Sequence, residues 1–183
     1  TPIVPGARTR YLAEISDTVR GYKKRAREQA RLAREIQQLN ASAQMLRVAS
    51  EIGKVGLWDW NVSASTVFFS SCWKTMLGYS EHEIGDQLCE WESRVHPDDK
   101  AQVMADVGRH LSGEVDFYAN EHRVLCKDGS WKWVHSRGMV ISRDDLGQPL
   151  RMVGTHTDIS ELKAAETQQR ALEAQLRESQ KME

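Results

Sequence analysis

The chain has 183 residues, 40% of them hydrophobic and 28% charged, and its formal net charge is −1. This length allows one modest hydrophobic core with extended helices and leaves too few residues for two full domains. No apolar run approaches the roughly 20 residues of a membrane-spanning helix, and the three cysteines lack the spacing of a disulfide framework or a cysteine-rich zinc site. We therefore expect a cytoplasmic protein, and a membrane anchor upstream of Thr1 is compatible with this expectation.

The first segment, residues 1–52, has the pattern of a long amphipathic helix. From Tyr11 to Ser50, seam positions follow alternating steps of four and three residues, and no proline interrupts them. Such a stripe needs cover, either from a partner helix in a coiled coil or from the domain that follows. We expect a parallel homodimer whose interface includes the seam residues Leu32, Ile36, Leu39 and Leu46.

The same segment is locally basic. Residues 8–35 contain nine Lys or Arg residues against four acidic ones. Such an excess would suit nucleic acid or an anionic membrane surface, but here the charges lie on an amphipathic helical pattern. We interpret them as the solvated flank of a coiled coil and expect no nucleic-acid partner.

Residues 53–159 follow a different period, in which short apolar segments alternate with turn residues. The sequence His96-Pro97-Asp98-Asp99 starts a helix, because proline suits the first helical position and acids suit the first turn. The order of elements indicates an α+β fold, a five-stranded antiparallel sheet with helices on one face. The predicted strands are 55–62, 66–70, 115–127, 130–143 and 148–157, and the predicted helices are 72–77, 88–95 and 97–111.

Asp128-Gly129 is the strongest short hairpin signal in the chain. If these two residues form the whole turn, His122 lies opposite His135 in the hairpin. This pair supplies only two zinc ligands, an incomplete site, so we expect no metal centre.

The last segment, residues 160–183, predicts a second helix with seam spacing that begins at Leu162. Asp158 lies three residues before Glu161, the arrangement of a capping box at the start of such a helix. Long helices that enter and leave one small domain suit a symmetric dimer that transmits helix movements along its axis.

Five local motifs occur in order along residues 53–159. They are Gly56-Leu57-Trp58-Asp59-Trp60, Leu77-Gly78-Tyr79, Val95-His96-Pro97-Asp98-Asp99, Lys127-Asp128-Gly129-Ser130-Trp131-Lys132-Trp133-Val134 and Gly154-Thr155-His156-Thr157-Asp158-Ile159-Ser160-Glu161. Together they resemble a PAS sensory domain of the tryptophan-containing subgroup, with its C-terminal PAC segment. The resemblance implies a small cavity between sheet and helices and an output helix after the last strand.

The resemblance also implies roles for individual residues. Flavin-binding relatives keep a glutamine at the position of His156, pointing into the cavity near the output helix. Trp131 and Trp133 would face outward, under the N-terminal helix or a dimer partner. The other cavity candidates are Glu121, Arg123, Val134, Ser136 and Gly138, and the candidates for relaying a signal into the output helix are Asp158, Ser160 and Glu161.

The tail LEAQLRESQKME is similar to the segment before the phosphoacceptor helix of many bacterial histidine kinases. We therefore expect a non-catalytic sensory and dimerisation module, with or without a small-molecule ligand, that controls a histidine kinase domain further along the chain. One alternative is a redox or gas sensor that carries flavin or haem, and another is a PAS module of a cyclic-dinucleotide enzyme. Covalent flavin photochemistry is disfavoured because Cys72 does not lie in an Asn-Cys-Arg motif, and no phosphate loop or catalytic triad is present.

Overall fold

The computed structural model describes the backbone of residues 7–181, with the side chains of residues 7–11, 13, 14, 17 and 181 outside the description. The chain divides into two units, residues 1–48 and 49–183. No helix in the described range combines the length and apolarity needed to cross a bilayer.

Residues 7–48 are helical, as the seam predicts, and belong to helix α1 (Ala7–Gly53). Tyr11, the first seam position, lies in this helix, but its side chain is outside the description. The apolar seam residues are solvent-exposed in the single chain, namely Leu32, Ile36, Leu39 and Leu46.

The second unit contains one antiparallel sheet of five strands in the order β2-β1-β5-β4-β3. Its strands are β1 (Val55–Asn61), β2 (Thr66–Phe69), β3 (Tyr118–Leu125), β4 (Trp131–Arg143) and β5 (Pro149–Asp158). Its helices are α2 (Ser71–Met76), α3 (Leu88–Glu92), α4 (Pro97–Leu111) and α5 (Ser160–Lys181). The predicted fold class is confirmed, and each predicted strand is found with its ends shifted by up to three residues.

One face of the sheet packs against α2, α3 and α4 and forms the core. Because side chains alternate along a strand, every second residue of β1, β4 and β5 points into this core. The buried cluster combines strand residues with Trp73 and Leu77 of the α2 region. Leu88 and Trp91 of α3 and Val107 and Leu111 of α4 pack against the cluster from above the sheet.

The register of the β3–β4 hairpin differs by one residue from the prediction. Gly129 has φ 84° and closes a three-residue loop, in which its N–H donates to the carbonyl of Cys126 at 3.1 Å. The Cys126 N–H donates to Ser130 O at 2.8 Å. A type I turn followed by a left-handed glycine is the usual three-residue hairpin, so Asp128-Gly129 is not a two-residue turn.

This register overturns three sequence interpretations, because a slip of one residue moves a side chain to the opposite face. Glu121 lies opposite His135 and Arg123 lies opposite Trp133, and these two β4 residues alternate with the buried residues of that strand. The Glu121 carboxylate and the Arg123 guanidinium therefore do not face the cavity. His122 lies opposite Val134 and is fully buried in the core, so the expected His122–His135 pair does not form.

Glu121 and Arg123 instead make ion pairs away from the cavity. Glu121 Oε2 lies 2.6 Å from Lys163 Nζ in α5. The Arg123 guanidinium donates to both carboxylate oxygens of Asp99 at 2.9 and 2.6 Å, and hydrogen bonds from Arg123 hold the Asp99 pKa below its ordinary value. These contacts satisfy both charges without an internal ligand.

Trp131 and Trp133 lie on the outward face of β4, as the resemblance implies. The Trp131 ring contacts His96 with a centroid separation of 4.5 Å and remains 42% exposed. Trp133 is half-buried, with the Arg123 guanidinium 5.3 Å and the Lys163 ammonium 5.5 Å from its ring centroid. Part of the cover over Trp133 thus comes from α5 of the same unit.

Candidate functional site

A small cavity lies between the sheet and the helices. Its volume is about 40 Å³. Its lining residues include three tryptophans, two residues with hydroxyl groups and one histidine, and the others are apolar. The lining residues are Trp58, Trp60, Val67, Phe69, Leu88, Trp91, Val107, Tyr118, Ser136, Met152 and His156.

Two glycines in the centre of the sheet make room for the Trp58 indole. Gly138 of β4 and Gly154 of β5 lie opposite each other, and Gly154 also lies opposite Trp58 of β1. A methyl group on either glycine would overlap the six-membered ring of Trp58. The indole therefore lies directly over bare backbone, a close approach that requires glycine.

His156 is buried on the cavity wall and belongs to a hydrogen-bond pair. The Trp73 indole nitrogen donates to His156 Nδ1 at 2.9 Å, which assigns the proton of the neutral ring to Nε2. Burial, followed by the repulsion of His122, lowers the pKa of His156 well below its ordinary value. His156 is thus a neutral donor through Nε2.

His122 continues the polar network toward α4. Its Nε2 accepts from the Trp91 indole at 3.4 Å, so Nδ1 carries the proton and donates to Asn120 Oδ1 at 3.2 Å. The Asn120 amide in turn donates to the Asp106 carboxylate. Burial lowers the His122 pKa to about 4, and the ring centroid lies 5.5 Å from that of His156.

Four buried polar groups belong to residues that line the cavity and make no hydrogen bond of normal geometry to the described residues, although the Tyr118 and Ser136 hydroxyls lie close enough to interact. They are Trp58 Nε1, Trp60 Nε1, the Tyr118 hydroxyl and the Ser136 hydroxyl. Burial raises the pKa of the Tyr118 phenol, and the neighbouring Ser136 hydroxyl offsets only part of that rise. Buried polar groups are nearly always satisfied by protein, water or ligand. These four atoms are themselves enclosed, and the surface that faces the open space of the cavity is mainly apolar.

The C-terminal end of β5 connects this wall to helix α5. Asp158, two residues after His156, accepts a 2.9 Å hydrogen bond from the N–H of Ser160 and pairs with Lys132 Nζ at 2.9 Å. The Trp133 N–H donates to Ser160 Oγ at 3.1 Å, and the Trp133 carbonyl accepts from Ile159 at 2.9 Å. The first residue of α5 is therefore bonded to both central strands that carry the cavity wall.

Comparisons with known proteins agree with this architecture. The family model for the PAS fold matches residues 66–156. A solved structure of a sensory box histidine kinase/response regulator from Burkholderia thailandensis is 34% identical, with a TM-score of 0.64 over 73% of this chain and 98% of that one. The chain belongs to the PAS family.

Curated relatives match this PAS protein over part of their length. A methyl sulfide methyltransferase-associated sensor from Methanosarcina acetivorans is 32% identical over 101 residues, which are 53% of this chain and 10% of the sensor. A 47-residue stretch is 60% identical to a fused isobutyryl-CoA mutase from Cupriavidus metallidurans, covering 26% of this chain and 4% of the mutase. A match to so small a part of the mutase transfers no activity. The relatives and the fold support a signalling role, and PAS domains are in general non-enzymatic.

The PAS structure brings together only part of the predicted cavity set. Ser136 and His156 line the cavity, whereas Val134 is buried in the surrounding core and Gly138 lies under Trp58. Of the relay candidates, Asp158 and Ser160 hold the start of α5, and Glu161 is exposed in its first turn.

Sequence reasoning missed the Tyr118 hydroxyl and the Trp91–His122–Asn120 chain. The signal was present in the middle of β3, where Asn120, His122 and Val124 alternate with the charged residues Glu121 and Arg123. Placing the charges outward would have given the observed face. The Asp128-Gly129 turn signal outweighed this alternation in the prediction.

The cavity is too small for flavin or haem, the cofactors of the alternative interpretation. A cavity of about 40 Å³ is far below the roughly 300 Å³ or more of sites for larger ligands, and the Trp58 indole occupies the centre of the sheet. The Cys72 thiol points to the Ser50 carbonyl at 3.7 Å and is not part of the wall. Flavin and haem therefore do not fit this wall, and among the side chains that the structure describes no three His, Cys, Asp or Glu residues cluster as metal ligands would.

Proposed function

We propose that this chain is the sensory and dimerisation module of a cytoplasmic histidine kinase. An occupant of the PAS cavity, or an upstream signal, changes the hydrogen bonding of His156, and the change passes through Asp158 and Ser160 into helix α5. Helix α5 then alters the kinase domain that we expect to follow it. The observation that carries this proposal is the position of His156, buried on the cavity wall two residues before the hydrogen bond that holds the α5 start.

The route is short because both of its ends lie on the same strands. His156 lies opposite Ser136 in the β4–β5 ladder, and Asp158 lies opposite Val134. A movement of the His156 ring therefore acts on the strand ends where Ser160 is bonded. Local changes at such strand ends can shift a helix that leaves the sheet.

Two observations favour a dimeric kinase module over other settings, and a third favours a cytoplasmic location. The seam of α1 is solvent-exposed in one chain, including Leu39 at 71%, and a partner helix would cover it. The 34%-identical solved structure is described as part of a histidine kinase/response regulator. The three free cysteines suit a reducing cytoplasm. A PAS module of a cyclic-dinucleotide enzyme is the second candidate, because a coiled-coil output helix could serve either kind of enzyme.

The first test measures hydrogen exchange of the α5 amides in this chain. His156→Leu should speed exchange at residues 160–163 more than at β3 amides, because it uncouples the wall from the helix start. Thr155→Val is the matched control, since Thr155 lies on the opposite face of the same strand. Equal acceleration in α5 and β3, following the loss of global stability, would reduce His156 to a packing residue.

The second test concerns the output. In the complete protein, kinase activity with and without residues 53–159 should differ, and His156→Leu should abolish the response while Thr155→Val preserves it. Autophosphorylation or cyclase activity of the complete protein decides between the two candidate outputs. Unchanged activity after removal of residues 53–159 would contradict the regulatory role.

A further inference from the structure

The Trp133 ring on the outer face of the sheet has two cations against it, from two different elements. The Arg123 guanidinium of β3 lies 5.3 Å from the ring centroid, and the Lys163 ammonium of α5 lies 5.5 Å from it. A cation within about 6 Å of a tryptophan centroid is attracted by the negative face of the ring. One aromatic side chain therefore holds a strand cation and a cation of helix α5.

The Arg123 cation is fixed to the first turn of helix α4. Its guanidinium donates to both carboxylate oxygens of Asp99, at 2.9 and 2.6 Å, and the Arg123 N–H donates to Asp99 Oδ2 at 2.9 Å. The Arg123 carbonyl accepts from the N–H of His96, the residue that caps α4, at 2.9 Å. An arginine–carboxylate pair with two hydrogen bonds fixes orientation as well as distance. The position of the guanidinium at the Trp133 ring thus follows the position of α4.

The Lys163 cation fixes the start of helix α5 to the sheet. Besides contacting the ring, its Nζ lies 2.6 Å from Glu121 Oε2 of β3 and 3.4 Å from Glu166 Oε2 of α5. The Lys163 side chain is 24% exposed, so solvent screens these contacts only in part. Helix α5 is therefore held by this side chain as well as by the hydrogen bond that Ser160 Oγ accepts from Trp133.

Helix α4 also belongs to the cavity wall. Val107 of α4 lines the cavity, and the neighbouring Asp106 accepts a hydrogen bond from the Asn120 amide of β3. Packed helices switch by shifts of about 1–2 Å in which the helix moves as one body. A change in the space beside Val107 is therefore transmitted along α4 to Asp99 at its start.

Resting on the proposed sensory function, we infer that Trp133 is a positioning residue that couples helix α4 to helix α5. A shift of α4 moves the Arg123 guanidinium at the Trp133 ring, and the contact of Lys163 with the same ring changes with it. This route crosses the outer face of the sheet, whereas the route through His156 runs along β5 from the cavity side. Trp133 thus has a role within one chain, separate from the dimer contact expected from the sequence.

The experiment is a double-mutant cycle measured by hydrogen exchange of the amides of residues 163–167 in this chain. Asp99→Asn weakens the hold of α4 on the guanidinium, and Trp133→Leu removes the ring but keeps an apolar side chain and the backbone hydrogen bonds. Each change alone should speed exchange in α5 about threefold, the size expected of one cation–π contact at a partly exposed site.

The double variant should exchange no faster than Trp133→Leu alone. Without the ring, Arg123 and Lys163 no longer share a partner, so the release of Arg123 from Asp99 has no further effect on α5. Independent changes at separated sites would instead multiply to about ninefold.

Two tryptophan variants are matched controls for the ring. Trp131 is the other outward tryptophan of β4, and its ring contacts His96. Trp131→Leu should leave α5 exchange unchanged and should preserve the threefold effect of Asp99→Asn. Trp133→Phe keeps an aromatic face and should restore most of the response to Asp99→Asn that Trp133→Leu loses.

A second control concerns the carboxylate. Asp98 lies in the same turn as Asp99, but its side chain is 77% exposed and 3.8 Å from the Arg123 guanidinium. Asp98→Asn should therefore change α5 exchange by less than about twofold. Exchange at residues 66–69 of β2, the edge strand opposite β3, reports any global loss of stability in each variant.

Three results would overturn the inference. They are no effect of Asp99→Asn on α5 exchange, a double variant that exchanges at the product of the two single effects, and loss of the Asp99→Asn effect in Trp131→Leu as well as in Trp133→Leu. In each case the proposed route survives if His156→Leu still accelerates exchange selectively at residues 160–163. A coupled cycle with a silent His156→Leu would keep the Trp133 contact and reject His156 as the relay, so the two failures are distinguishable.

Discussion

The Trp73 indole nitrogen donates a 2.9 Å hydrogen bond to Nδ1 of His156 and so joins helix α2 to strand β5 across the core. Trp73 is fully buried and also stacks on Phe69, with a centroid separation of 4.1 Å. Gly56 allows this packing, because a methyl group there would lie 2.9 Å from the Trp73 side chain. The contact fixes both the tautomer of His156 and the position of α2.

Trp73→Phe should lower the free energy of unfolding by about 2–4 kcal/mol. It leaves the buried His156 Nδ1 without a donor, which costs about 1–3 kcal/mol, and it opens space in the core. Urea unfolding followed by circular dichroism measures the change. His156→Gln should cost less, because the glutamine amide oxygen can accept the same indole hydrogen bond. A larger loss in His156→Gln than in Trp73→Phe would contradict this account.

Stability should fall as the pH drops from about 6.5 to about 4, because His122 and His156 are held neutral in the fold. Burial lowers the His122 pKa from near 6.5 to about 4, so within this window the unfolded chain binds more protons than the folded one. Above pH 6.5 the stabilising contribution of these neutral histidines is complete. Its full loss for His122 lowers the free energy of unfolding by about 3 kcal/mol. Chemical denaturation at a series of pH values measures the slope.

Variants separate the buried histidines from other titrating groups in this profile. His122→Gln should flatten the loss between pH 6.5 and pH 4, whereas His82→Gln, at an exposed position, should leave it unchanged. The pKa of Asp99 is lowered from its ordinary value of 3.8 by Arg123, so its contribution is lost at lower pH. A wild-type profile that stays flat down to pH 4.5 would show that the buried histidines do not titrate as described.

Gly154→Ala should destabilise the domain by at least about 2 kcal/mol, because the added methyl group would overlap both the Arg137 carbonyl and the Trp58 ring. Gly108→Ala is the matched control in helix α4, where an added methyl group meets nothing within 4 Å. That change should stabilise the domain by about 0.5–1 kcal/mol. Thermal and urea unfolding of the two variants should therefore move in opposite directions, and similar losses in both would contradict the close packing of Trp58.

The dimer prediction concerns helix α1. Removal of residues 1–50, or the combined change of Leu32, Ile36 and Leu39 to Gln, should give a mainly monomeric protein in light scattering, because the seam provides the apolar contact. Met45→Gln alters an equally exposed apolar residue off the seam and should leave the mass unchanged. If the truncated chain is still a dimer in light scattering, contacts outside α1 hold the dimer together.

The amino-acid sequence by itself determined the order and type of the elements in this protein. Local signals sufficed for α4, where Pro97 and two acids begin the helix, and for the strands, whose alternation of polar and apolar residues is local. The resemblance of the motifs to those of PAS domains also predicted the position of His156 on the cavity wall. These features depend on neighbours within a few residues, so they can be read along the chain.

Only the tertiary structure decided which side chains share the cavity. The one-residue difference in the β3–β4 register moved Glu121 and Arg123 outward and brought His122 into the core, and a choice between two turn types controlled it. The Trp73–His156 bond joins residues 83 positions apart, and the Trp58 ring over Gly154 requires three strands to be in place. The space left for a ligand is what remains after this packing, so no local pattern along the chain could specify it.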